Sequence, residues 1–278
     1  MGPALATKRF FFVALALAFT ACSAGSAKSH YLLAEKLWSD GKYSSAVSEF
    51  EKTAAHDSSG KLGLQALFRA ASTQALFLSQ YDDAVRKFRQ VANTTPDQAQ
   101  AWDALKQIGD ILFEKTDQYD LAIQHYKSLI SQRPESGDLP EFMFRMGKSY
   151  FFLQQFRDAN AVYRDLIKKY SQSPWAEKAS FEMALADFTR GEQRPGGKGP
   201  GMESYQLSMD EYGAFIKKYP QSELIPNARF GIAACLEELD QLDAAYNAYA
   251  ALRLTYPSHN VIEIKLARIR ERRAQRNR

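Results

Sequence analysis

Cysteine is almost missing from this chain, with Cys22 and Cys235 the only two among 278 residues. Neither a CxxC pair nor a Cys/His cluster is present, so disulfide staples and a structural zinc are excluded as the means of holding the fold. No large excess of one charge exists either. A net charge of +4 is too small to argue for a nucleic-acid partner. Long apolar runs are also absent: the longest, Phe10 to Phe19, is too short to cross a bilayer as a helix. Catalytic motifs are lacking, since neither HExxH nor GxSxG occurs. Gly147-Lys148-Ser149 imitates the end of a phosphate-binding loop, but Phe142 stands where that loop needs its first glycine. Cys235 reads as a small buried residue rather than a nucleophile. The expectation is a non-enzymatic protein without catalytic residues, metal or cofactor.

Core-forming residues are plentiful, with 45% apolar content, 14 Tyr and 18 Phe, which excludes general disorder. The stretch Phe142 to Tyr170 shows how they are arranged. Met143, Gly147 and Tyr150, then Ala159, Tyr163 and Leu166, recur at three- and four-residue steps, giving two helices with one apolar stripe each. Gln154 and Gln155 separate the stripes. Small Gly147 and Ala159 let the helices approach closely, and such a hairpin needs neighbours to cover its other faces.

The neighbours are in the sequence. The small residue of each second helix recurs as Ala46, Ala84, Ala122, Ala159, Ser208 and Ala245, and four residues later stand Phe50, Phe88, Tyr126, Tyr163, Tyr212 and Tyr249 on the same face. Three residues before the small residue lies Tyr43, Tyr81, Tyr119, Phe156, Tyr205 or Leu242. Twelve after it comes Pro96, Pro134, Pro220 or Pro257, where a helix must stop. About six units therefore fill residues 31–260, and on this register the four histidines, His30, His56, His125 and His259, fall in separate repeats. The register stretches in the fifth unit, where the glycine-rich segment 190–203 is inserted. Its five glycines and two prolines predict a loop. Over 261–278, Ile262, Leu266 and Ile269 predict a capping helix. From Glu263 onward, seven Lys or Arg face two Glu, so a basic tail follows an acidic body. The tail is expected either to fray from Arg272 as a solvated end or to bind lipid phosphates or an acidic partner.

Gly/Ala, aromatic, Ala-x-x-x-aromatic and Pro in this order resemble the tetratricopeptide repeat. The resemblance implies an all-α, right-handed superhelical solenoid whose first helices line a concave groove. Those helices carry Tyr31, Trp38, Phe77, Phe144, Phe151, Phe152, Phe181 and Phe188, more rings than single buried stripes accommodate. Tyr31, Trp38, Phe77, Phe144, Phe152 and Phe188 are the candidates to bind an apolar segment of another protein.

Lys8 and Arg9 before the short apolar run read as an export signal over 1–21. Thr20-Ala21-Cys22 resembles a bacterial lipobox, which implies lipidation of Cys22 and a lipidated linker over 22–30. Ser23 after the cysteine implies an outer-membrane, periplasm-facing location. The lipobox, the repeats and the phrases Lys169-Tyr170-Ser171-Gln172-Ser173-Pro174 and Lys218-Tyr219-Pro220-Gln221-Ser222 are together similar to the BamD family of outer-membrane assembly lipoproteins. That implies a scaffold for the barrel-assembly protein and for unfolded outer-membrane proteins, held to the membrane by its N-terminal lipid. The second phrase also resembles the Tol-Pal-associated envelope proteins, and lipoprotein helpers of secretin or pilus assembly share both anchor and repeats.

Overall fold

A computed structural model describes residues 26–193 and 200–276. The signal segment, Cys22 and the centre of the glycine-rich insertion lie outside them. Among the described residues there are thirteen helices and no strand. The first, α1, covers 26–39. It is followed by α2 (Tyr43–His56), α3 (Lys61–Phe77), α4 (Tyr81–Thr94) and α5 (Gln98–Glu114). Then come α6 (Tyr119–Gln132), α7 (Leu139–Phe152), α8 (Phe156–Lys169) and α9 (Pro174–Glu192). The last four are α10 (Pro200–Lys218), α11 (Ile225–Glu238), α12 (Leu242–Ala251) and α13 (His259–Arg276). Residues 26–30, expected as linker, are already helical.

The chain divides into two compact units after Gln118. The first contains α1 to α5 and the second α6 to α13. Turns inside the repeats share one device. Gly41, Ser79, Asp117, Gln154 and Asp240 take positive φ of 52–74°, each two residues before the ring or leucine that opens the next helix. The amide after each donates to a carbonyl five or six residues back, closing the helix end: Lys42 to Leu37, Gln80 to Gln74, Gln118 to Leu112, Gln155 to Tyr150 and Gln241 to Leu236. First helices start on caps or prolines. Asp97 accepts from the amides of Ala99 and Gln100, Ser173 accepts from Trp175, and α7, α9 and α11 have Pro in their first turn.

The six small residues of the second helices are all buried, as are the six rings four residues on. In the first unit Ala46, Val47 and Phe50 pack on Ala34, Ala66 and Ala70. In the second, Met143, Ala159, Tyr163, Leu166, Ala176 and Ala179 form one cluster, and Ala184, Tyr212, Phe215 and Ala228 form the next. The space above Gly147 shows how close the helices come. A Cβ there would lie 2.3 Å from the Tyr163 ring, and Gly191 and Gly231 are covered in the same way by Tyr205 and Tyr212.

The two ends of the insertion are helical, and its centre, residues 194–199, lies outside the described residues. Arg190, Gly191 and Glu192 finish α9, and residues 200–203 begin α10, so both helices reach 19 residues. Packing of Gly191 under Tyr205 keeps the chain helical despite its poor propensity, because burial outweighs roughly 1 kcal/mol of glycine cost. At the C-terminus Leu242, Ala245, Tyr249 and Leu252 are covered by Ile262, Leu266 and Ile269 of α13. That helix continues past Arg272 to Arg276 instead of fraying there.

Candidate functional site

In the first unit three rings meet where helices end and begin. Phe77, the last residue of α3, stacks on Tyr43, the first of α2, at 4.1 Å between centroids, and Trp38 of α1 meets them edge-on at 5.8 and 6.1 Å. Arg69 lies over the Trp38 ring at 4.8 Å, held by two 3.0 Å bonds that it donates to the Glu35 carboxylate. Phe77 is 45% exposed, and Leu32, Leu33 and Leu76 of the same two helices are exposed as well.

The second unit repeats the arrangement. Phe152, the last residue of α7, is 46% exposed and stacks on Tyr119, the first of α6, at 4.7 Å. Phe151 lies edge-on to Phe152 and to Phe156. Lys148 sits about 5 Å over both Phe151 and Phe152 and donates to Glu182 at 3.0 Å. Each unit thus presents an exposed phenylalanine supported by a tyrosine, with a cation fixed to a carboxylate over Trp38 in the first unit and over Phe152 itself in the second. Flat apolar area beside a fixed cation suits apolar and aromatic side chains of another chain.

The other groove candidates are more covered. Tyr31 is half-buried, edge-on to Phe50, and Trp38 packs on the same core cluster. Phe144 lies between Tyr163 and Trp175, at 6.1 and 5.1 Å, and belongs to the rim of the α7–α9 core. Phe188 rests on Tyr205 at 5.5 Å, while Phe181 packs on Tyr212 and Phe215. Among the described residues Phe77 and Phe152 are the two large rings left open. Their supporting tyrosines were legible only as repeat markers, although each precedes its phenylalanine by about one repeat.

Two placements differ from the sequence reading. His30 and His56 belong to one hairpin, with rings stacked 5.5 Å apart, and His30 Nδ1 lies 2.6 Å from Glu49. The Lys52 ammonium and His30 hold the Glu49 carboxyl below its ordinary range. Among the described residues no group of three or more His, Cys, Asp or Glu is arranged to hold a metal, and no helix is long and apolar enough to cross a membrane. The basic C-terminal helix also turns inward. Glu237, fully buried, takes Lys265 at 3.0 Å, Arg268 at 3.3 Å, Arg272 at 3.6 Å and the Tyr249 hydroxyl at 3.2 Å. Arg272 and Arg276 reach Asp240, and Arg273 reaches Asp243. The acidic partner of these cations is the last hairpin of the same chain.

Compared with known proteins, residues 103–136, 141–173 and 227–259 match the tetratricopeptide repeat. These segments carry three of the units read from the spacing and leave out the stretched fifth. No curated protein matches the sequence. Among solved structures, the C-terminal part of a tetratricopeptide-repeat protein from Cytophaga hutchinsonii is similar at 15% identity. It has a TM-score of 0.62, with 93% of this chain and 96% of that one covered. A tetratricopeptide-repeat protein from Parabacteroides merdae is similar at 13% identity, TM-score 0.55, with 91% and 89% covered. PilW, a widely conserved type IV pilus biogenesis factor, follows at 16%, 0.51, 87% and 97%. The fold is an all-α array of tetratricopeptide-type helical repeats.

Proposed function

We propose that this chain is a non-enzymatic, protein-binding scaffold, lipid-anchored through Cys22 in the outer membrane and facing the periplasm, with a BamD-like part in the assembly of outer-membrane barrel proteins. The observation that carries the binding role is the recurrence of an exposed ring, Phe77 or Phe152, on a tyrosine support. A recognition surface needs apolar area that folding leaves uncovered and that does not collapse when empty, and the stacked supports provide both. Apolar segments of unfolded barrel proteins suit it, and ordering them on binding keeps affinity modest. The lipobox resemblance at Thr20-Ala21-Cys22 supports the anchor. Helping secretin or pilus assembly is the second reading, favoured by the likeness to PilW.

Affinity purification of the detergent-extracted protein separates the two. Co-purification of a barrel-assembly protein supports the first, and a secretin supports the second. For the surface itself, Phe77→Ala and Phe152→Ala should each weaken binding of barrel-protein peptides about tenfold, corresponding to roughly 1.4 kcal/mol, while leaving the melting midpoint nearly unchanged. Unchanged affinity in both variants removes these rings from the site.

A further inference from the structure

Deep in the second unit, where α8, α9 and α10 meet, the side chains offer more hydrogen-bond acceptors than donors. Asp187 of α9 is 1% exposed. Its carboxyl takes the Asn160 amide of α8 at 2.8 Å, lies 2.7 Å from the Arg190 guanidinium, and is electrostatically coupled to the neighbouring Glu211 carboxyl of α10. Glu211 Oε2, Asp187 Oδ1 and the Oδ1 of Asn160, itself 4% exposed, make no hydrogen bond although all three atoms are buried. Ionised carboxylates only accept, so neighbouring carboxyls in a buried site can pair only through a proton, and that proton is the donor the cluster lacks. We infer that the Asp187–Glu211 pair folds around one retained proton and acts as a pH-dependent latch for the α8–α9–α10 junction, releasing when the proton is lost.

Other groups facing the pair set the midpoint. Arg164 from α8 and Arg190 from α9 favour ionised carboxyls, Ser204 of α10 accepts from Arg190, and Tyr212 of α10 feels Glu211 and Cys235 of α11. Burial acts against ionisation and wins, with the neighbouring Asp187 carboxyl adding to it, so Glu211 is pushed up from 4.5 to about 8 and Asp187 is raised as well. A carboxyl that holds its proton more tightly when folded contributes stability fully present below its unfolded value. The contribution is lost as pH rises through about 8. Below pH 5 the latch is closed; above pH 8 two charges share one buried site.

Hydrogen exchange of the full chain, corrected for the intrinsic pH dependence of exchange, tests this. Between pH 6 and 9, amides of α9 and α10 should lose about tenfold in protection while those of α2 to α4 do not. Glu211→Gln, which keeps a neutral side chain able to donate to Asp187, should abolish the loss. An unchanged wild-type profile, or an equal loss in Glu211→Gln, overturns the inference. If that variant does not fold, carboxyl resonances of the wild-type protein decide: one of the pair must titrate between pH 7 and 9. Completion of both titrations below pH 6 rules the latch out.

Discussion

Side chains at fixed places in each unit carry most of the architecture, and their effects separate cleanly. Gly147 is where a helix surface receives the Tyr163 ring, and an added methyl would lie 2.3 Å from it. Gly147→Ala should therefore destabilise the protein by about 1–3 kcal/mol in a urea melt, in spite of alanine's better helix propensity. A gain in stability would mean that the ring moves aside without cost. Ser79 presents the opposite case, because it holds a φ of +54° that serine disfavours. Ser79→Gly should stabilise by about 0.5–1 kcal/mol in the same assay, and a loss would show that the hydroxyl matters more than the backbone. At Cys235 burial pushes the thiol up to about 11, with the Ser208 hydroxyl 3.5 Å away. Iodoacetamide at pH 8 should label it on the order of 100-fold more slowly in the native chain than in urea, since only the thiolate reacts. Sequence reading found Gly147 by its spacing. It had no access to Ser79, because a left-handed turn residue other than glycine leaves no mark of its own.

Helices pair here through neighbouring stripes, so the last one needs a lid, and α13 supplies it. Ile262, Leu266 and Ile269 are fully buried against α11 and α12, each contributing about 1.5–3 kcal/mol. Ending the chain at Ser258 should remove roughly 4.5–9 kcal/mol by that count, and hydrogen exchange should show α12 unprotected while α7 and α8 are little affected. An intact α12 in the shortened protein would make α13 an ornament rather than a cap. Its apolar stripe was legible in the sequence at i, i+4 and i+7. Its ion pairs were not, since Glu237 lies 28 residues before Lys265 and nothing local marks that carboxylate as buried. The helical ends of the glycine-rich insertion were not legible for a related reason: composition reports what a segment prefers alone, whereas Tyr205 and Gly191 fit together only after α9 and α10 have paired.

On the scale of the whole chain, repeats that touch mainly their neighbours make stability a local property. Ala46→Leu in the first unit should overpack α2 against Ala34 and Ala66, costing about 1–3 kcal/mol. Protection should fall in α1 to α3 and stay nearly constant in α11 to α13. A uniform fall across all helices would mean that the chain unfolds as one cooperative body. Membrane attachment belongs to this scale too. Cys22→Ser should release the protein from membranes if the anchor is the proposed lipid, and intact mass should show the acyl groups on the native chain. A native mass without acyl groups, beginning beyond residue 22, would sink that reading.

The sequence by itself determined the helices and the register of small residue and ring along them, because a small residue and a ring four positions later meet on one helix face whatever surrounds them. It also determined where the lid helix starts to be apolar. Only the tertiary structure decided which rings of the first helices stay open, that the basic helix finds its acidic partner within the chain, and that Asn160 meets Asp187 across two helices. Asn160 and Asp187, hydrogen-bonded, lie 27 residues apart in sequence. Contacts of that span depend on how one hairpin sits on the next, and packing among whole helices sets that geometry where local pattern cannot.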